Sequence, residues 1–393
     1  MTAAPVARSA GRPPLLRYGL VSVDDHVQEP PDLWTSRLSS NWADRIPRIE
    51  SRDGIDRWVV DGQVVLNGHA SAAGAFMADR NREPSRWDEV PAAAYRPADR
   101  LKAMDAAGVD YSALYPTVAG VAGHAFGRIR DSELELECVR AYNDWLIEEW
   151  AGFSDRFIPQ CIVPIWPPDA TVREIHRAVG MGHRGVVFPS LPMDLRDIPH
   201  VADPDYDPVW AACEELGVPL CLHAGASAGL QYPGTPTLSP TMAAALDAAT
   251  KPVSSVYVLG LYLFSRVLLR HPRLKVVLAE SALSWGMLYL EWADHQFEHD
   301  GLAREGYDLT PSELFRRQVY FDAWYDRVAP FEPYIGAEHI MWSTNMPLAN
   351  STWPRTQDEI AKCFVDVTPE AREQVLWRNA AELYRLGQED QGA

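Results

Sequence analysis

Hydrophobic and polar positions along the chain fall into short β-forming runs, each followed by a longer stretch with helical spacing. The runs are GLVSVDDH (19–26), DYSALYP (110–116), FIPQCIVPI (157–165), GVVFPS (185–190), VPLCLHAG (218–225), KVVLAES (275–281), VYFDAW (319–324) and IMWSTNMP (340–347). Between them, PADRLKAMDAAG opens on Pro97 and closes on Gly108, the proline-first, glycine-after signature of a helix. DSELELECVRAYNDWLIEEWAG repeats Leu134, Val139, Leu146 and Trp150 at helical spacing. TVREIHRAVGMG, DPVWAACEELG and SALSWGMLYLEWADHQFEH read the same way. Strand-then-helix alternation predicts a parallel sheet with helices outside it. Eight such units fit a closed (β/α)8 TIM barrel of α/β class; a doubly wound sheet is the alternative.

Residues 32–96 break the alternation and predict an insertion after strand one that caps one end of the barrel. Within it, RWVVDGQVVLNG flanks Asp61-Gly62 with β-formers, the pair a type I′ hairpin turn prefers. REPSRWDEVPAAAYRP reads as a Pro-rich loop. The expected layout is an N-terminal extension (1–18), a barrel (19–387) and a short tail (388–393), with Thr368 capping the last helix.

Barrels of this type place their chemistry at the C-terminal strand ends. Side chains alternate along a strand, so Ser22, Asp24 and His26 share the inner face of strand one, with Val21 and Val23 outside. The same parity turns Cys221 and His223, Leu278 and Glu280, and Ser343 and Asn345 inward. Two imidazoles with one or two carboxylates at one mouth suit a single Zn²⁺ or Mn²⁺ ion, which acidifies water or polarises a carbonyl. The residues also allow a plainer reading, in which each histidine is only hydrogen-bonded. His124 in a Gly-rich loop, Trp166 after strand three, and Asp322 and Trp324 ending strand seven are candidate substrate contacts or packing residues. His295 and His299 lie four apart on a helix but read as a solvated face beside Asp294 and Glu298.

Composition narrows the classes. With 393 residues, 47% hydrophobic and a net charge of −18, the chain is an ordinary globular protein with no basic face for nucleic acid or anionic membrane. The five cysteines are scattered, and Cys161, Cys213 and Cys221 sit in apolar contexts that predict buried thiols in a reducing, cytoplasmic setting. The apolar run 252–264 is too short to span a bilayer and predicts a buried helix. No Gly-x-Ser-x-Gly elbow, Walker A or Rossmann fingerprint is present.

SVDDHVQEPPDLW, RLKAMDAAGVDYSALYPT, LHAG, HPRLKVVLAES, IMWSTNMP and RNAAELY, in that order, resemble the amidohydrolase-related (amidohydrolase 2) family. Its members include aminocarboxymuconate-semialdehyde decarboxylase and γ-resorcylate decarboxylase. The resemblance implies a TIM barrel holding one divalent metal, carried across onto Asp24, His26, His223 and Asn345, with Glu280 where many members place a histidine. It also marks a departure. The family usually ends strand eight with Ser-Asp-Tyr/Phe-Pro-His, whereas this chain has Thr344-Asn345-Met346-Pro347-Leu348. Asn345 cannot take a proton from bound water, a contribution of roughly 10²–10⁴-fold in general base catalysis.

The expected function is that of an enzyme on a small carboxylated or aromatic substrate, a metal-assisted lyase or decarboxylase or an atypical hydrolase. Glu280, His223 and Asn345 are then the catalytic residues, with Glu280 as acid/base. Two alternatives stay open: a metal-independent cyclase or hydratase on the same barrel, and a non-catalytic ligand-binding barrel. A homo-oligomer, often a dimer in relatives, is expected, with no nucleic-acid or membrane partner.

Overall fold

The computed structural model describes residues 16–66, 69–80, 82–226 and 237–387. All eight expected runs are parallel strands of one sheet: β1 (Val21–His26), β5 (Tyr111–Tyr115), β6 (Phe157–Ile162), β7 (Gly185–Val187), β8 (Leu220–His223), β9 (Val276–Ala279), β10 (Val319–Ala323) and β11 (Ile340–Trp342). They pair in sequence order from β1 to β11. Just past β11 the chain returns to β1: Asn345 N donates to Asp24 O at 2.9 Å and His26 N to Met346 O at 2.6 Å. These bonds bring the first strand to the last, as a TIM barrel requires.

Strands of such a barrel are buried on both faces, so they favour continuous apolar sequence. β1 breaks that rule: it is wholly buried yet carries Ser22, Asp24, Asp25 and His26. A buried polar group without a partner is costly, so each must be accounted for. Ser22 Oγ meets Thr344 Oγ1 at 3.1 Å. The Asp25 carboxylate accepts from Ser112 Oγ and Thr344 Oγ1, both at 2.5 Å, and from Met346 N at 2.8 Å. It therefore ties β1 to β5 on one side and to the end of β11 on the other. Burial raises its pKa to about 6 against the pull of Arg100 and these donors. A shift in register between Ser22 and Asp25 lets adjacent residues turn to different tasks. Only Asp24 and His26 are left facing inward without hydrogen bonds at their carboxylate oxygens and Nε2.

Helix boundaries follow local chemistry. The helix Pro97–Ala107 starts on its proline and stops at Gly108, which has φ +70°. Thr368 caps the C-terminal helix by accepting from Ala371 N. The run 255–264 is a helix whose Val258, Leu259, Tyr262 and Leu263 are buried.

The segment between β1 and β5, the expected cap, holds a three-stranded antiparallel sheet: β2 (Arg48–Arg52), β3 (Ile55–Val60) and β4 (Gln63–Val64). The β3–β4 turn is the expected one, with Asp61 at φ 46° and Gly62 at φ 77°. β2 was not expected, although Asp53-Gly54 repeats the same turn pair, with φ 55° and 75°. The expected Pro-rich loop also contains short helical turns at Trp87–Glu89 and Ala92–Tyr95. The cap rests on the loop after β11, where Ala75 N donates to Pro347 O at 3.0 Å.

Candidate active site

β1 and β8 bring three side chains to one point. His26 Nε2 lies 3.4 Å from Asp24 Oδ1, and His223 Nε2 lies 3.5 Å from Asp24 Oδ2. One ligand atom from each of these three buried residues falls within 4.8 Å of the others. Both imidazoles are oriented from behind. His26 Nδ1 faces Pro116 O at 3.2 Å and His223 Nδ1 faces Ala224 O at 2.8 Å. A carbonyl can only accept, so each Nδ1 carries the proton and each Nε2 lone pair turns to the centre.

The residues fit a divalent cation. Asp24 Oδ1 and Oδ2, His26 Nε2, His223 Nε2 and Asn345 Oδ1 are all buried without a hydrogen-bond partner. Native proteins seldom leave such atoms unpaired, and those of Asp24, His26 and His223 meet at one point. Donor atoms sharing one ion at bond lengths of roughly 2.0–2.2 Å stand about 3–3.5 Å apart, in line with this spacing. The electrostatics agree. Burial alone would raise Asp24, but His223, His26 and Lys251 hold its pKa below the usual carboxylate value. His223 is raised to about 9 against its burial, chiefly by Asp24 and then Glu280. A +2 ion would replace those protons as the balancing charge.

Glu280 and Asn345 stand opposite each other, just past the ends of β9 and β11. Asn345 Nδ2 donates to Glu280 Oε1 at 3.1 Å and to Asn350 Oδ1 at 3.2 Å. Asn350 Nδ2 donates to the same Glu280 oxygen at 3.0 Å. Two acceptors on one side of the Asn345 amide fix which end is nitrogen, so its oxygen is the free end. Glu280 Oε2 is left facing His223 Nδ1 and Lys251 Nζ, each at 3.8 Å. Glu280 and Asn345 both have left-handed backbones, at φ 52° and 55°, as does Ala282 at φ 57°. Such a conformation is tolerable for asparagine and uncommon for glutamate.

Asp322 maintains that corner. Its carboxylate accepts from Glu280 N at 3.1 Å and Ser281 N at 2.9 Å. Burial and the nearby Asp24 charge raise its pKa.

A cavity of about 630 Å³ adjoins the site at Lys251, whose ammonium lies 3.8 Å from Glu280. Val60, Gln63 and Val64 of the hairpin line one side; His124, Arg128, Lys251 and Ser254 line others. Burial and the Arg128 charge push His124 down to about 3, so it is a neutral imidazole there. Of the other candidate substrate contacts, Trp166 packs on Tyr206 with ring centroids 5.6 Å apart. Trp324 is buried beside Tyr325. Like Asp24, His26, His223, Glu280 and Asn345, these two and Asp322 are not among the described residues lining the cavity. His295 and His299 stack at 6.1 Å on an exposed helix face.

Three site residues escaped the strand-end reading: Lys251, Asn350 and Arg128. None ends a strand, and no spacing rule marks them. Glu29 escaped too. Its carboxylate accepts from Thr117 N at 3.1 Å and Val118 N at 2.9 Å, holding the start of the loop that carries His124 and Arg128.

The amidohydrolase family model matches residues 68–386, a span that begins after β1 and so excludes Asp24 and His26. The γ-resorcylate decarboxylase of Rhizobium radiobacter is 30% identical over 272 residues, 64% of this chain and 76% of the relative. That of Rhodococcus jostii is 28% identical over 351 residues, 83% of this chain and 99% of the relative. An amidohydrolase from Mycobacterium avium subsp. paratuberculosis has the same fold, with TM-score 0.74 and 21% identity over 94% of this chain and all of that one. A variant of 5-carboxyvanillate decarboxylase from Novosphingobium aromaticivorans, solved with manganese and 3-methoxy-4-hydroxy-5-nitrobenzoic acid, shares the fold at TM-score 0.64 and 17% identity. That match covers 94% of this chain and 97% of the other. With the barrel, the order of its strands and the matched span in agreement, the chain belongs to the amidohydrolase family.

Proposed function

We propose that the chain is a metal-dependent decarboxylase of a small aromatic carboxylate. The observation that carries this reading is the set of five unpartnered buried donor atoms on Asp24, His26, His223 and Asn345, in a chain similar to γ-resorcylate decarboxylases over most of its length. Asp24, His26 and His223 would hold one Zn²⁺ or Mn²⁺ ion, with Asn345 Oδ1 as a weaker neutral donor. Once bound, such an ion supplies Lewis-acid charge at a carboxylate or neighbouring oxygen.

The remaining chemistry belongs to the chain's own groups. Decarboxylation exchanges a carbon–carbon bond for a carbon–hydrogen bond, so a proton must reach the carbon that loses CO₂. Asn345 cannot deliver it, which leaves Glu280. Its Oε1 is occupied by two amide donors, so Oε2, 3.8 Å from Lys251 Nζ, is the oxygen through which Glu280 would pass the proton. His124, neutral in the cavity wall, offers a hydrogen bond to a ring substituent. Trp166, Asp322 and Trp324 are assigned supporting roles behind the wall.

A homo-oligomer is proposed from the exposed Leu288 and Trp292 on the helix Ser284–Asp300. A cytoplasmic setting is proposed from the five free, buried cysteines. Among the described residues, no helix is long and apolar enough to cross a membrane.

The test is bound metal by elemental analysis, together with CO₂ release from hydroxybenzoates with and without chelator. The expected result is about one ion per chain and loss of turnover on chelation. Metal-free protein with chelator-insensitive turnover overturns the proposal.

A further inference from the structure

The charges lining the cavity do not cancel evenly. Lys251 is balanced: its ammonium lies 3.8 Å from Glu280 Oε2, and Asp247 on the same wall raises its pKa further. Arg128 is different. It lines the cavity from the short helical turn Phe126–Arg128 and is only half-exposed. Among the described residues its guanidinium has neither an ion pair nor a hydrogen bond. Most other half-buried arginines here are engaged: Arg45 with Asp61 and Asp131, Arg177 with Glu174 and Asp144, Arg196 with Glu135. A guanidinium presents a planar fork of donors that matches a carboxylate, so an unengaged one in a ligand cavity is a ready carboxylate site.

Its placement adds to this. Gly120, at φ +83°, is positioned so that a Cβ there would fall 2.6 Å from the His124 ring. The missing side chain lets His124 fold against the loop. Arg128 follows one helical turn later, close enough for its charge to depress the His124 imidazole. His124 in turn feels His223. The wall therefore carries Arg128 beside the neutral His124, and the same cavity is lined by Lys251, whose ammonium lies 3.8 Å from Glu280.

We infer that Arg128 anchors a second carboxylate on the substrate, so that the chain selects aromatic dicarboxylates over monocarboxylates. This inference rests on the decarboxylase reading for which carboxylate reacts, but the anchor is a binding property and is tested as one. One carboxylate faces the Asp24–His26–His223 end and leaves as CO₂; the other stays on the product, paired with Arg128.

The experiment is calorimetric titration of the full chain with isophthalate and with benzoate, in manganese-loaded and in metal-free protein. Isophthalate is expected to bind about 10-fold or more tightly than benzoate in both forms, the scale of a hydrogen bond to a charged group. Arg128→Gln should erase the difference, Arg128→Lys should keep part of it, and Arg130→Gln, an equal charge change on an exposed neighbour, should leave it intact. Equal binding of the two acids by the unaltered protein overturns the inference without recourse to any variant, as does a preference that survives Arg128→Gln. A preference for isophthalate with no CO₂ released from any aromatic acid would keep the anchor and remove the decarboxylase reading. Equal binding of mono- and diacids together with CO₂ release would do the reverse.

Discussion

Asp24, His26 and His223 are carried within β1 and β8, whereas Glu280 and Asn345 stand on the chain just after β9 and β11. The first group has ordinary strand backbone; the second is left-handed at both residues. The first is steadied by single backbone carbonyls behind each ring. The second is held by a web of side chains: Asp322 under the Glu280 turn, and Asn350 joining both tips. One half of the mouth thus inherits its geometry from the barrel. The other half is made by loops, and the held strain at Glu280, roughly 1–2 kcal/mol for such a residue, marks where the structure departs from local preference.

The contrast predicts separable failures. The largest effect is expected from His26→Ala. Bound metal should fall by more than the roughly 10–100-fold that loss of a ligand's own hydrogen-bond partner costs, taking turnover with it; elemental analysis after dialysis reads this. Glu280→Gln should leave metal content unchanged and lower kcat by about 10²–10⁴-fold, as for loss of a general acid. If it also empties the metal site, the two halves are one unit and the comparison fails. Asn345→Asp should be intermediate: metal is held as tightly or more so, and kcat drops about 10-fold because a carboxylate replaces the amide donor 3.1 Å from Glu280. Parallel metal competition and steady-state kinetics separate the two effects. The smallest change is in stability. Ala282→Gly, at φ 57°, should raise the unfolding free energy by about 0.5–1 kcal/mol with kcat untouched, by denaturant titration.

The same division governs what could be read from the sequence. All eight strands were legible because buried parallel strands are dense β-former runs bounded by turn residues. Asp24, His26 and His223 were legible as one cluster because alternation holds inside a regular strand. Glu280 and Asn345 were placed at the mouth by the same rule, but their left-handed backbone was not foreseeable, since it depends on Asp322 and on the closure of β1 against β11. Asn350, Lys251 and Arg128 lie in loops or at helix ends, where spacing carries no direction. β2 was missed despite its Asp53-Gly54 turn because its own residues, Arg48–Arg52, are largely polar and exposed, so the hydrophobic pattern is silent there. For Trp166, Asp322 and Trp324 the strand-end rule gives a position near the mouth and no more, because it cannot tell a wall from the groups bracing it.

Asp25 carries a consequence for how the molecule comes into being. Its bond to the Met346 amide joins residues 321 apart in sequence, so the neighbour of Asp24 reaches its partner only when almost the whole chain has been laid down. Contacts of that separation form late, because the loop they close must be ordered first. A chain made only as far as β8 therefore owns Asp24, His26 and His223 but lacks the seam that sets Asp24 against Asn345. Cation capture becomes a closing event of folding, and an ion bound only by the finished barrel adds its binding free energy to the seam. Chelation should then loosen the joint between the first strand and the last before it disturbs the other walls.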